Sequence, residues 1–184
     1  MKPTEDLINE HKSIKTMLGI MKRIADDIHD DKGADAIDLE QIIDFIRVFA
    51  DKCHHGKEED SLFPAMVEAG LPRHSGPIAV MFADHEMGRK YIRDLENAVN
   101  DFKAGKSDKP IEPALINYVD LLRGHILKEE SILFPMADRI VPEMTQEKLA
   151  ERFEAIEEQV IGRGIHEQYQ RLLERLKVKY DKPS

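Results

Sequence analysis

The chain is short of the residues that carry several common chemistries. Cys53 is its single cysteine among 184 residues, which excludes an internal disulfide and a thiolate zinc cluster. Long apolar runs are missing, so no segment is expected to cross a bilayer. The opening Met1-Lys2-Pro3-Thr4-Glu5-Asp6 has no apolar signal core, and cytoplasm is the expected compartment. Positive charge is in deficit: the net charge of −9 argues against a nucleic-acid backbone as partner. Sustained apolar–polar alternation between turn signals is also absent, so strands are not expected.

What remains is helix. Apolar content of 41% with 34% charged residues describes an ordinary soluble globule, long enough for one full core. A first stripe runs through Leu7, His11, Ile14, Leu18, Met21, Ala25 and Ile28. A second starts near Asp38, carries Ile42, Ile43, Ile46, Phe49 and Ala50, and is expected to kink or stop at Phe63-Pro64. Pro77 opens a third, with Ile78, Met81, His85, Gly88, Ile92, Leu95, Val99 and Phe102 in line. The fourth, from about Ile111 to Ile140, aligns Leu115, Tyr118, Leu122, His125, Glu129, Ile132 and Met136. The spacing predicts an all-α fold, an antiparallel up-down four-helix bundle over residues 1–142. Residues 143–184 read as a further C-terminal helix, capped by Thr145, lying on the bundle or at a homodimer interface.

One phrase occurs twice. His54-His55-Gly56-Lys57-Glu58-Glu59-Asp60-Ser61-Leu62-Phe63-Pro64 overlays without a gap on His125-Ile126-Leu127-Lys128-Glu129-Glu130-Ser131-Ile132-Leu133-Phe134-Pro135. A His and a Glu four residues apart share one helix face. His11 and His85 sit on the other two stripes, so each helix carries one His where the pattern asks for Leu or Ile. The order His, His-x-x-x-Glu, His, His-x-x-x-Glu is a twofold pattern that a pseudo-dyad would gather into one layer. Burying that set without partners would cost several kcal/mol, and divalent metal resolves the cost. Nitrogen and oxygen donors without sulfur suit iron or manganese, with zinc as a substitute. Two ions with bridging glutamates and an oxo or hydroxo bridge would leave open positions for dioxygen, peroxide or nitric oxide. The Glu-x-x-His spacing of ferritin-like bundles is absent.

These motifs resemble the hemerythrin-like family of His-His-Glu cation-binding domains over about Asp6 to Ile140. The resemblance implies a non-haem di-iron centre: His11, His54 and Glu58 largely on one iron, His85, His125 and Glu129 on the other, both glutamates bridging. The oxygen carriers of that family have a second His four residues after the one in helix three, where this chain has Arg89. Their last helix uses an Asp five residues after its His, where this chain has Glu129 at four. The pattern is more similar to members tied to iron sensing, to peroxide or nitric oxide chemistry, and to iron–sulfur repair. Binding or sensing of dioxygen, nitric oxide or iron is therefore the first expectation. A di-iron enzyme acting on peroxide or nitric oxide, or a metal-stabilised interaction protein, are the alternatives.

Around this set, Glu59 and Glu130 stand beside the ligands, as alternative ligands or as partners for imidazole N–H groups. His55, about 100° round an α-helix from His54, is expected outside the layer. Gly88 either leaves room for a small ligand or lets two helices approach, and Tyr118 is either a proton donor or a core phenol. Cys53 is expected buried and inert, and His166 exposed.

Overall fold

The computed structural model describes residues 2–180; the domain limits expected at 1 and 184 lie outside the described residues. Six helices and no strands are present among them. Helix α1 spans Pro3–His29, α2 residues 36–68, α3 Gly76–Lys103 and α4 residues 111–140; α5 is Glu143–Val160 and α6 Gly162–Tyr180.

The first four form the expected antiparallel bundle. Thr4 at the start of α1 bonds Asp138 near the end of α4, while His29 at the far end meets Glu112 at its beginning. Likewise α2 and α3 run past each other through Arg47–Glu96 and Glu59–His85. Sequence signals set the ends. Asp35 caps α2 by accepting from the Ile37 and Asp38 amides. Pro77 falls in the first turn of α3, where its missing N–H costs nothing. Thr145 does not cap α5: that helix begins two residues earlier, and the Pro142 carbonyl accepts from the Thr145 and Gln146 amides.

Two departures from a plain α-helix matter. In α2 the backbone widens to π-helix over Ile46–His55 and again over Glu58–Leu62; α4 does the same over Glu129–Leu133. Each repeated Glu-Glu therefore starts a π turn, and each Leu-Phe-Pro closes it. The Phe63 amide bonds the Glu58 carbonyl and the Phe134 amide bonds that of Glu129, both five residues back. The following proline sits where the ladder returns to its four-residue step and a donor can be spared, so neither helix stops there. The extra residue in the turn also shifts the stripe. Ile132, expected in the core, is 52% exposed, and Leu133 is buried in its place.

The C-terminal segment is two helices, broken at Gly162, whose φ of 65° is open to glycine. Leu149 and Phe153 of α5 pack with Leu7, Leu62 and Phe134 at one end of the bundle. Tyr169, Leu173 and Leu176 of α6 join Phe45 and Ile46 at the other. Between these two apolar clusters lies a buried polar layer. No described helix is long and apolar enough to cross a membrane.

Candidate metal centre

The polar layer contains all six residues marked by the repeat, each at most 1% exposed. His11 comes from α1, His54 and Glu58 from the π segments of α2, His85 from α3, and His125 and Glu129 from α4. The imidazoles pair. The Nε2 atoms of His11 and His54 lie 3.1 Å apart, and those of His85 and His125 are separated by the same 3.1 Å. Each pair is tilted with ring centroids 4.7 Å apart, so the two halves of the chain are related as a dyad would relate them. Phe134 stacks on His11 and Phe63 on His85, which gives the two Leu-Phe-Pro closures the same task.

The outer nitrogens are held by carboxylates. Glu130 faces Nδ1 of His11 at 2.9 Å, Glu59 that of His85 at 2.6 Å, Glu10 that of His54 at 2.7 Å and Asp84 that of His125 at 3.3 Å. An ionised carboxylate only accepts, so Nδ1 donates and a neutral ring turns an unprotonated Nε2 inward. Glu59 and Glu130 thus reach across the dyad to the single histidines of α3 and α1. Glu10 and Asp84 went unassigned in the sequence, although each directly precedes a stripe His.

The glutamates join the two pairs. Glu58 lies 3.7 Å from His54 Nε2 and 3.4 Å from His85 Nε2 through its two oxygens. Glu129 lies 3.0 Å from His125 and 3.2 Å from His11. All four carboxylate oxygens are nevertheless buried without a properly directed hydrogen bond. Two nitrogen lone pairs facing each other at 3.1 Å, twice over, and four orphaned oxygens form a donor set that a cation satisfies and an apolar core does not.

Electrostatics point the same way. Burial raises the Glu58 carboxyl well above its ordinary range, and Glu129 beside it raises it further. Burial also pushes Glu129 up, but His125 and His11 outweigh it and hold it well below that range. His125 is lifted to about 9, with Glu129 and Asp84 overcoming burial. Burial drives His54 and His85 down. Opposed shifts in adjacent buried groups mark a charge balance that a divalent ion would settle directly.

The ligand atoms fall into two groups of metal-binding size. One holds His11, His54, Glu58 and Glu129; the other holds Glu58, His85, His125 and His55. A family model, that of the hemerythrin HHE cation-binding domain, matches residues 2–137. The chain belongs to the hemerythrin HHE family. Uncharacterized proteins of Mycobacterium bovis and of two strains of Mycobacterium tuberculosis are each 25% identical over 162 residues, 86% of this chain. The chain spans 62% of the length of those relatives. No solved structure gives a significant match. The match and the buried His/Glu groups together point to metal binding by this hemerythrin domain.

His55 overturns one expectation. It is 4% exposed and stacks on His85 with ring centroids 3.8 Å apart, inside the layer rather than outside it. The α-helical angle assumed for it fails because Ile46–His55 is π-helix, in which neighbouring residues are less widely splayed. Arg89, at the α3 position of the carriers' additional His, bonds Asp51, Glu59 and Glu86.

A cavity of about 230 Å³ reaches the layer from this side, lined by Asp51, His55, His85, Gly88, Arg89 and Tyr118 among others. Gly88 lines the cavity, and a Cβ there would make ordinary contacts with Leu122, Tyr118 and Leu121, so the approach of the two helices does not require glycine. Tyr118 lines the same cavity, and burial pushes its phenol far above the ordinary range. Cys53 is buried, its thiol pushed up to about 12 by that burial. His166 is half-buried near Phe49, away from the layer.

Proposed function

We propose that this domain holds two iron ions in its polar layer and uses them to bind or sense a small ligand: dioxygen, nitric oxide or iron itself. The observation that carries the reading is the paired geometry: two sets of inward Nε2 atoms at 3.1 Å, with Glu58 and Glu129 spanning from one set to the other. His11 and His54 would serve one ion, His85 and His125 the other, with the two glutamates shared. A donor set of imidazole and carboxylate without sulfur suits iron, with manganese or zinc as substitutes.

Bound iron supplies redox chemistry and ligand positions; the chain supplies the rest. Glu10, Glu59, Asp84 and Glu130 fix the imidazole tautomers and orientation. Phe63 and Phe134 wall the layer from solvent at one end. Residues 1–142 carry the centre in this reading, while 143–184 brace it.

A second reading has its own observation. Tyr118 lines the cavity that touches His55 and His85, and from there its hydroxyl would give a proton to a ligand entering. That would suit an enzyme acting on peroxide or nitric oxide.

Metal analysis after anaerobic loading with Fe(II) tests the first claim, with two irons per chain expected. One ion per chain, or two ions still held after loss of both Glu58 and Glu129, defeats it. Adding dioxygen to the ferrous protein then separates the readings: a reversible visible band supports binding, and rapid oxidation with peroxide turnover supports catalysis.

A further inference from the structure

We infer that His55 is itself a metal ligand, the fifth imidazole of the centre, delivered by α2 instead of α3. The inference rests on the two-ion reading above and deepens it by making the two ions unequal.

Three independent features of His55 match those of the other four histidines. It is buried within the layer at 4% exposure. Its Nδ1 faces a carboxylate, Asp51 at 3.3 Å, which leaves Nε2 as the free donor. One ligand atom each of His55, Glu58, His85 and His125 lies within 4.8 Å of all the others. Packing keeps the ring in the layer, stacked on His85 at 3.8 Å and edge-on to His125 at 5.6 Å, and the ring would turn out of that stack to share an ion with His85.

The backbone explains how consecutive residues can both serve. In an α-helix, His54 and His55 would diverge by about 100° and only one could enter the layer. The π segment Ile46–His55 widens the turn, so His54 joins His11 while His55 joins His85. π turns of this kind recur at functional sites because they aim extra side chains inward.

Arg89 then acquires a role as a positioning residue. Its guanidinium lies 2.8 Å from Asp51 and 2.8 Å from Glu59, the carboxylates behind His55 and His85. The α3 position that carries a ligand in the oxygen carriers instead braces two ligands from behind. One ion would be served by two imidazoles and the other by three, and the cavity touches His55 and His85 of the second set.

Equilibrium dialysis against Fe(II) under nitrogen, with elemental analysis, tests this on the wild type, His55→Ala, His55→Gln and the control His29→Ala. His29 is on the surface, paired with Glu112 far from the layer. Two ions per chain are expected for the wild type and His29→Ala. Both His55 variants should keep one ion and bind the second at least about tenfold more weakly, since even residues behind a ligand cost that much. Millimolar imidazole should restore the second ion to His55→Ala through the adjoining cavity. Circular dichroism and melting of the metal-free forms separate ligation from packing, His55→Gln being the near-isosteric case. Two ions at wild-type affinity in either variant would overturn the inference, as would a loss that merely follows a collapsed metal-free fold in both. A wild type with fewer than two ions is a different result: it defeats the two-ion reading itself.

Discussion

Lys57 Nζ lies 2.6 Å from Glu10 Oε1, and the other oxygen of that carboxylate faces Nδ1 of His54 at 2.7 Å. The ammonium is fully buried and also reaches Asp6 at 2.9 Å and Glu157 of α5 at 3.2 Å, over the Phe153 ring. A C-terminal helix is thus wired to a histidine of the centre through one lysine. Burial lowers the Lys57 pKa, but Glu10 and Asp6 outweigh it and raise it, so the side chain stays charged. Replacing it with Met would leave three carboxylates facing one another without a cation. Breaking a buried ionic group typically costs about 3–5 kcal/mol. Lys57→Met should lose about 3 kcal/mol in chemical denaturation, with weaker metal retention than Lys57→Arg. Equal stability for the Met variant would refute the assigned role.

Removing metal should cost stability for a reason visible in the layer. Glu58 and Glu129 keep four buried oxygens without hydrogen bonds, and the two Nε2 pairs face each other. A ligand that binds only the folded state stabilises it by about 2.7 kcal/mol at one hundred times its Kd. Chelation should therefore lower the melting temperature by several degrees, and Fe(II) should restore it. Glu58→Gln with Glu129→Gln should melt at one temperature with or without chelator. A chelator-sensitive double variant would locate the metal elsewhere.

The bundle was legible because its stripes are regular: Leu7 to Ile28 in α1 and Ile78 to Val99 in α3 are buried as their spacing predicts. The six residues of the buried polar layer were legible because polar side chains interrupted those stripes at matching places in two halves. What escaped was the helix type. An assumed 3.6-residue turn put His55 outside the layer and Ile132 inside, and both errors come from π turns in α2 and α4. The turns at Glu58–Leu62 and Glu129–Leu133 leave a proline inside a continuing helix as their mark in the chain, whereas Ile46–His55 leaves none. Glu10 and Asp84 escaped for another reason: a carboxylate next to a stripe His looks like surface until the neighbouring helix is in place.

Gly88 predicts a gain. An added Cβ would sit 3.6 Å from Leu122, 3.7 Å from Tyr118 and 3.8 Å from Leu121, all ordinary van der Waals contacts. Its φ lies outside the positive region, so Ala can adopt the backbone without strain. Exchanging a helix-interior Gly for Ala is worth about 1 kcal/mol. Gly88→Ala should be more stable than the wild type by roughly that amount in urea titration. Gly88→Leu should instead crowd α4 and fill the cavity, slowing the reaction of the ferrous protein with nitric oxide in stopped flow. Unchanged kinetics in the Leu variant would show that ligands arrive by another route.

The last prediction concerns acid and the α6 clasp. Asp38, 2% exposed in the first turn of α2, accepts from Arg175 at 2.9 Å, Lys179 at 2.5 Å and the Tyr180 hydroxyl at 2.7 Å. Burial alone would raise its pKa, but these three donors outweigh it and hold it below the ordinary carboxylate range. Asp35 is lowered as well, chiefly by Lys179. A carboxylate with a depressed folded pKa contributes its full stability above the unfolded value of about 3.9 and loses it as pH falls through the folded one. The clasp should therefore hold at neutral pH and weaken progressively below about pH 4. Hydrogen exchange of the α6 amides should accelerate over that interval, beyond its intrinsic pH dependence and ahead of the α1 and α3 amides. Asp38→Asn should exchange faster at neutral pH, with that acid step reduced to what Asp35 contributes. An α6 equally protected in both proteins at every pH would mean that Tyr169, Leu173 and Leu176 hold the helix without help from the ionic cluster.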